Sequence, residues 1–180
     1  MPVRRLLPVA LLALTVTACT SAPTQSRPTP TPTGRTWTPA EQSATAEATA
    51  QYKESRAAYD AALNNPIKAT RATLESAGMS GVWLDDAVAK ANDFRARNTR
   101  RVGAVKILST EPIWVDLTAP TPAVVLKTCL DYSSVADHDP GTVRRLVDAR
   151  LLRLPTGWSL TAESESPDTA QAPTPGKPLC

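Results

Sequence analysis

The sequence predicts an α+β domain whose helices pack on one face of a curved, mostly antiparallel sheet. Three observations carry that prediction. Between Thr38 and Arg97, apolar residues recur at helical spacing behind start and stop signals. After Arg101 the period switches to two. The order, helices first and strands after, also suits an antiparallel sheet better than alternating β-α units.

The first helix begins at Thr38-Pro39-Ala40-Glu41, which fits a capping box with Thr38 as N-cap, Pro39 at N1 and Glu41 at N3. Alanine-rich sequence then runs to Leu63, with Ala48, Tyr52, Ser55, Tyr59 and Ala62/Leu63 on one face. Asn64-Asn65-Pro66 ends it. A short helix follows over 67–77 and stops at Gly78. Ser80 is the expected cap of a third helix, 81–97, with Leu84, Ala87/Val88, Ala91 and Phe94 inward. Arg95, Arg97, Arg100 and Arg101 cluster at its end, where positive charge complements the helix dipole.

Among the strands, Val105 and Ile107 alternate with smaller or polar neighbours, and Ile113, Val115 and Leu117 do so again beside Trp114. In the strand over 123–132, Val124, Leu126, Thr128, Leu130 and Tyr132 share one face. Val125, Lys127, Cys129 and Asp131 share the other. Asp137-His138-Asp139-Pro140-Gly141 signals a turn or loop. A strand over 143–154 turns at Pro155-Thr156-Gly157 into the last, 158–165, with Trp158, Leu160 and Ala162 expected inward.

Ahead of the domain, Arg4 and Arg5 precede an apolar stretch from Leu6 to Val16 and then Thr17-Ala18-Cys19. The stretch is shorter than the roughly 20 residues of a membrane span and suits an export signal. The small residues before Cys19 resemble the lipobox of bacterial lipoproteins. That resemblance implies a signal peptide over 1–18, a lipid on Cys19, and a protein held by that lipid at the extracytoplasmic face of the cell membrane. The competing reading is an ordinary cleaved signal with an incidental cysteine. Residues 19–37 carry Thr-Pro repeats and read as a Pro/Thr-rich tether. In polyproline II, 20–37 would reach roughly 55 Å. Loss of Arg4 and Arg5 leaves 18 basic against 17 acidic residues, so no global field argues for nucleic acid.

With Cys19 lipidated, Cys129 and Cys180 remain, and an even pair outside the cytoplasm is expected to bridge. The bridge would tie back a Pro-rich tail, 166–180, behind a domain spanning 38–165. A free Cys180 and an intermolecular pair are the alternatives.

Three helices, the strand Val125-Leu126-Lys127-Thr128-Cys129-Leu130-Asp131, the Leu154-Pro155-Thr156-Gly157-Trp158 hairpin and a final cysteine together resemble small exported actinobacterial lipoproteins with a nuclear-transport-factor-2-like cone domain. The resemblance spans 40–165 and implies the fold more than a function. Similar cones include steroid isomerases and polyketide cyclases, which use a pocket carboxylate or histidine as base and a tyrosine as donor.

Tested residue by residue, that chemistry finds little support. Asp131 and Asp116 point outward by parity. Asp148 is ambiguous, because both faces of its strand carry apolar residues. His138 sits in a polar loop. Tyr52, Tyr59 and Tyr132 either line the open end of the cone or pack in the core. Trp83, Trp114 and Trp158 read as core, and Trp37 packs on the domain or on a partner. No catalytic set, metal-ligand spacing or cofactor motif occurs. The arginines after the third helix read as a solvated face or a contact for anionic headgroups or acidic wall polymers. The sequence therefore points to a non-enzymatic, membrane-anchored binding module with an envelope protein or polymer as partner. The alternative is an isomerase- or cyclase-like enzyme or carrier using a pocket of Tyr52, Tyr59, Tyr132 and Asp148.

Overall fold

The computed structural model describes residues 35–136, 143–167 and Cys180. The compact unit begins at Thr36. It contains α1 (Pro39–Asn64), α2 (Arg71–Ser76), α3 (Gly81–Ala96), β1 (Lys106–Asp116), β2 (Ala123–Asp131), β3 (Arg144–Leu154) and β4 (Gly157–Glu165). The strands form one curved antiparallel sheet in the order β1-β2-β3-β4. The fold is thus α+β, with the helices against one sheet face.

The capping box at the start of α1 is present. The Thr38 N–H donates to Glu41 Oε2 (2.8 Å) and the Glu41 N–H donates to Thr38 Oγ1 (3.3 Å). The second helix is shorter than its periodicity suggests, because Thr70 and Thr73 form a capping box of their own. It ends in a Schellman pair, Gly78 N–H to Glu75 O and Met79 N–H to Leu74 O, which needs the positive φ (+74°) of Gly78. Ser80 does not cap α3 through its side chain. Its Oγ instead accepts from Ser159 Oγ at 2.8 Å, tying the helix start to β4.

Two apolar clusters hold the layers together. Ala44, Ala48 and Tyr52 of α1 pack on Val124, Leu126, Leu151, Trp158 and Leu160 of the sheet. Leu63 of α1 packs with Leu74, Met79, Leu84, Ala91 and Phe94. Each fully buried leucine stabilises the fold by roughly 1.5–3 kcal/mol. Alanines at the α1–sheet contact let the backbones approach closely. Trp37 packs against the first cluster, so it belongs to the domain surface.

The sheet departs from simple alternation twice in ways that matter. What reads as two short segments is one strand, β1, continuous through Pro112, with register shifts between Ile107/Ser109 and Pro112/Trp114. Pro112 is tolerated because β1 is an edge strand. Trp114 lies opposite Val125, on the other face from buried Val115, and is 41 % exposed, which corrects its expected place in the core. In β4, Leu160 pairs with Leu151 but Ala162 pairs with Arg150, so Thr161 is an extra residue. Its hydroxyl donates to Arg150 O at 3.1 Å. The bulge reverses the parity beyond it. Ala162, expected inward, lies opposite exposed Arg150, and Glu163 lies opposite buried Ala149 on the helix side. At the outer rim of β4, Leu160 N–H donates to Gly78 O (2.8 Å) and Ser80 N–H to Leu160 O (2.9 Å), closing a parallel bridge at Met79.

Cys129 and Cys180 form a disulfide with Cα atoms 5.8 Å apart. Arg144 Nη1 donates to Cys180 O at 3.1 Å.

Candidate functional site

The site grows from a charged stripe on α1. Tyr52, Arg56 and Asp60 follow one another at four-residue steps and therefore share a face. That face meets β4 where the bulge delivers Glu163. Arg56 is only 4 % exposed, and the Glu163 side chain 7 %. Arg56 Nη1 donates to Glu163 Oε1 at 3.0 Å, and the Tyr52 hydroxyl donates to Glu163 Oε2 at 2.9 Å. One turn on, Asp60 accepts from Arg101 Nη1 (3.1 Å) and from the Val105 N–H (2.8 Å).

Burial pushes the Glu163 carboxyl above the usual carboxylate range, against the opposing pull of Arg56 and the Tyr52 hydroxyl. Burial also pushes the Tyr52 phenol up, and the Glu163 charge adds to it. For Arg56, burial works against the charged form, but Glu163 and the surrounding acidic groups outweigh it and hold the guanidinium charged. Burial raises Tyr59 as well, with Arg101 and Arg56 pulling the other way.

Outside this buried layer lies an open cleft of about 830 Å³. Six cationic side chains line it: Arg56, Lys90, Arg97, Arg100, Arg101 and Arg145. Among the described residues of the lining, Glu163 is the one carboxylate, and it is already held by Arg56 and Tyr52. Tyr59, Trp83, Phe94 and Tyr132 supply aromatic surface. The Tyr59 and Trp83 rings stand 5.2 Å apart, with the Arg56 guanidinium 5.4 and 5.5 Å from their centroids. Arg101 approaches Tyr59, Arg97 approaches Phe94, and Arg145 approaches Tyr132. These are cation–π distances, and each holds a guanidinium against an aromatic ring of the wall.

The arginines after α3 divide by role. Arg95 donates to Pro66 O and Ala69 O, both at 2.7 Å, and so closes the loop before α2. Arg97 pairs with Asp93, and Arg101 with Asp60. Arg100 makes no ion pair among the described residues. Across the cleft, the one ion-pair partner of Arg145 among the described residues is Glu165, 3.9 Å away.

Of the four residues expected in a pocket, Tyr59 and Tyr132 line the cleft, while Tyr52 is fully buried beneath it as a donor to Glu163. Asp148 is a correction. It lies directly opposite Lys127, between buried Val147 and Ala149, on the sheet face away from the helices and the cleft. Asp116 and Asp131 are half-buried at strand ends and do not line the cleft, and hydrogen bonds from Thr118 and Ser133 hold each carboxyl below its usual range. Cys19 and His138 lie outside the described residues. Among the described residues, no three His, Cys, Asp or Glu side chains gather as a metal-ligand set, and no helix is long and apolar enough to cross a membrane.

No protein-family model matches the chain, and no curated protein matches it. Among solved structures, the chain is similar to the intermembrane space region of chloroplast protein ARC6, at 14 % identity and a TM-score of 0.44. That match covers 67 % of this chain and 93 % of the other.

Proposed function

We propose that the protein is a lipid-anchored envelope lipoprotein whose domain is a binding module, with the basic cleft as its ligand site and an anion as its ligand. The observation that carries this reading is the charge balance of the cleft. Six cations line it; Arg56, Arg97 and Arg101 are answered by Glu163, Asp93 and Asp60, while Lys90 and Arg100 have no ion pair among the described residues and Arg145 only Glu165 at 3.9 Å. A wall of this kind attracts and orients an anion. Glu163 is poorly placed to act as a base, since both of its oxygens are engaged. The anchor rests on the lipobox resemblance at Cys19, and the Thr-Pro segment provides reach from the membrane. We read the helices against a curved sheet, with a cleft at one end of α1, as a nuclear-transport-factor-2-like cone.

Native mass spectrometry of the full chain, taken from host membranes in mild detergent, tests the proposal. The expected spectrum has a diacylglycerol-sized addition on a chain starting at Cys19, plus a co-purifying anionic mass that Arg100→Glu removes. A bare chain whose spectrum Arg100→Glu does not change would overturn it.

A further inference from the structure

The geometry points to a phosphate ester, carrying a ring or sugar face, as the ligand of this cleft, a deepening that rests on the binding-site reading above. Three observations favour phosphate over other anions. Five of the six cations are arginines, whose planar forks suit multi-oxygen acceptors held by paired N–H groups. Arg100, in the turn after α3, and Arg145, on β3, reach the cleft from different elements and bracket it. A carboxylate offers them two acceptor oxygens, whereas a phosphoryl group offers three and so can answer both guanidiniums at once.

The second observation concerns unanswered donors. Three buried side-chain N–H groups lack an acceptor among the described residues: Arg56 Nε, Trp83 Nε1 and Arg145 Nε. All three belong to residues of the cleft wall. Unanswered N–H dipoles are costly in a folded protein. Here they leave donor capacity on the cleft wall beyond what the Arg56–Glu163 pair uses.

The third is size and surface. A cleft of about 830 Å³ matches the range of roughly 300–1,000 Å³ that holds one small molecule. The Tyr59, Trp83 and Tyr132 rings, each with a guanidinium over it, give the wall flat surface, so the favoured ligand joins a phosphate to a flat group. A soluble ester and a single phospholipid headgroup share this chemistry.

The test is calorimetric titration of the full chain in mild detergent with four probes: phenyl phosphate, inorganic phosphate, benzoate, and dihexanoyl phosphatidylglycerol below its micelle-forming concentration. The expected result is saturable one-to-one binding of phenyl phosphate, tighter than inorganic phosphate or benzoate. Arg100→Glu with Arg145→Glu should weaken it at least about tenfold. Arg153→Glu, outside the cleft beside Glu47 and matched in charge to the Arg100→Glu single variant, should leave it unaltered. Arg100 is exposed and outside the buried network, so Arg100→Glu alone keeps the fold and carries the test if the double variant unfolds. Preference for dihexanoyl phosphatidylglycerol, lost in the same variant, places the phosphate on a lipid headgroup. Benzoate binding as tightly as phenyl phosphate overturns the phosphate class while leaving an anion site. Absence of binding by all four probes overturns both the class and the site.

Discussion

Glu163 decides the character of the buried layer, and its removal is the sharpest single-residue test. Glu163→Gln keeps an acceptor for Tyr52 but leaves Arg56 buried without a counter-charge. Removing one partner of a buried ion pair outright costs about 3–5 kcal/mol; Gln still accepts hydrogen bonds and burial already favours a neutral side chain at this position, so chemical denaturation should show a loss below that range. Arg56→Met with Glu163→Leu should be less destabilised than Glu163→Gln, because no unpaired charge remains. A double variant worse than the single would contradict this account of the pair. The pH dependence has a definite sign. The folded-state pKa of Glu163 lies above its unfolded value, near 4.3. Its contribution is therefore largest below that unfolded value and declines as pH rises through the window up to the raised folded value, then levels off. The stability difference between wild type and Glu163→Gln, measured across that window, should carry this slope. Gly103 offers a second test. Its φ is +94°, and an added Cβ would fall 1.7 Å from Ser134 O. Gly103→Ala should cost at least about 2 kcal/mol and displace the loop that brings Val135 to the cleft.

At the scale of elements, much was legible. Thr38, Pro39 and Glu41 announce the start of α1, and Thr38→Ala should lower stability by about 1 kcal/mol. The period change after Arg101 marks the passage to the sheet, and the alternation in β2 gives both of its faces correctly. The buried charges were not legible, for two physical reasons. Arg56 and Asp60 share the stripe of Tyr52 and Leu63, but a charge on a helix is normally read as solvated. The four-residue step from Tyr52 was the available signal. Glu163 reaches Arg56 only because Thr161 is an extra residue, and a bulge depends on pairing with β3, which local alternation does not encode. Asp148 failed similarly. Apolar residues on both faces of β3 hid which face meets the helices, and only the register with Lys127 settles it. Deleting Thr161 should restore regular pairing and still leave Glu163 facing Arg56. We therefore expect a smaller loss of stability from that deletion than from Glu163→Gln.

For the molecule as a whole, cysteine arithmetic gave the pairing that the structure contains. The Cys129–Cys180 bridge spans 51 residues, and a loop of that length is worth up to roughly 4 kcal/mol in the chain-entropy model. Paired replacement by serine should lower the melting temperature, and reductant should have no further effect on that variant. The bridge also fixes the chain beyond β4 to the second strand of the sheet. The sheet's two rims have a consequence of another kind. One is β1, where Pro112 removes a donor and two register shifts break the line of free backbone groups. The other is β4, partly occupied by the Gly78–Ser80 segment at Leu160. Neither rim presents a long, flat template for a further strand. Molecules crowded together would thus meet through side chains and water rather than shared backbone hydrogen bonds, and should persist as separate particles instead of growing into fibres.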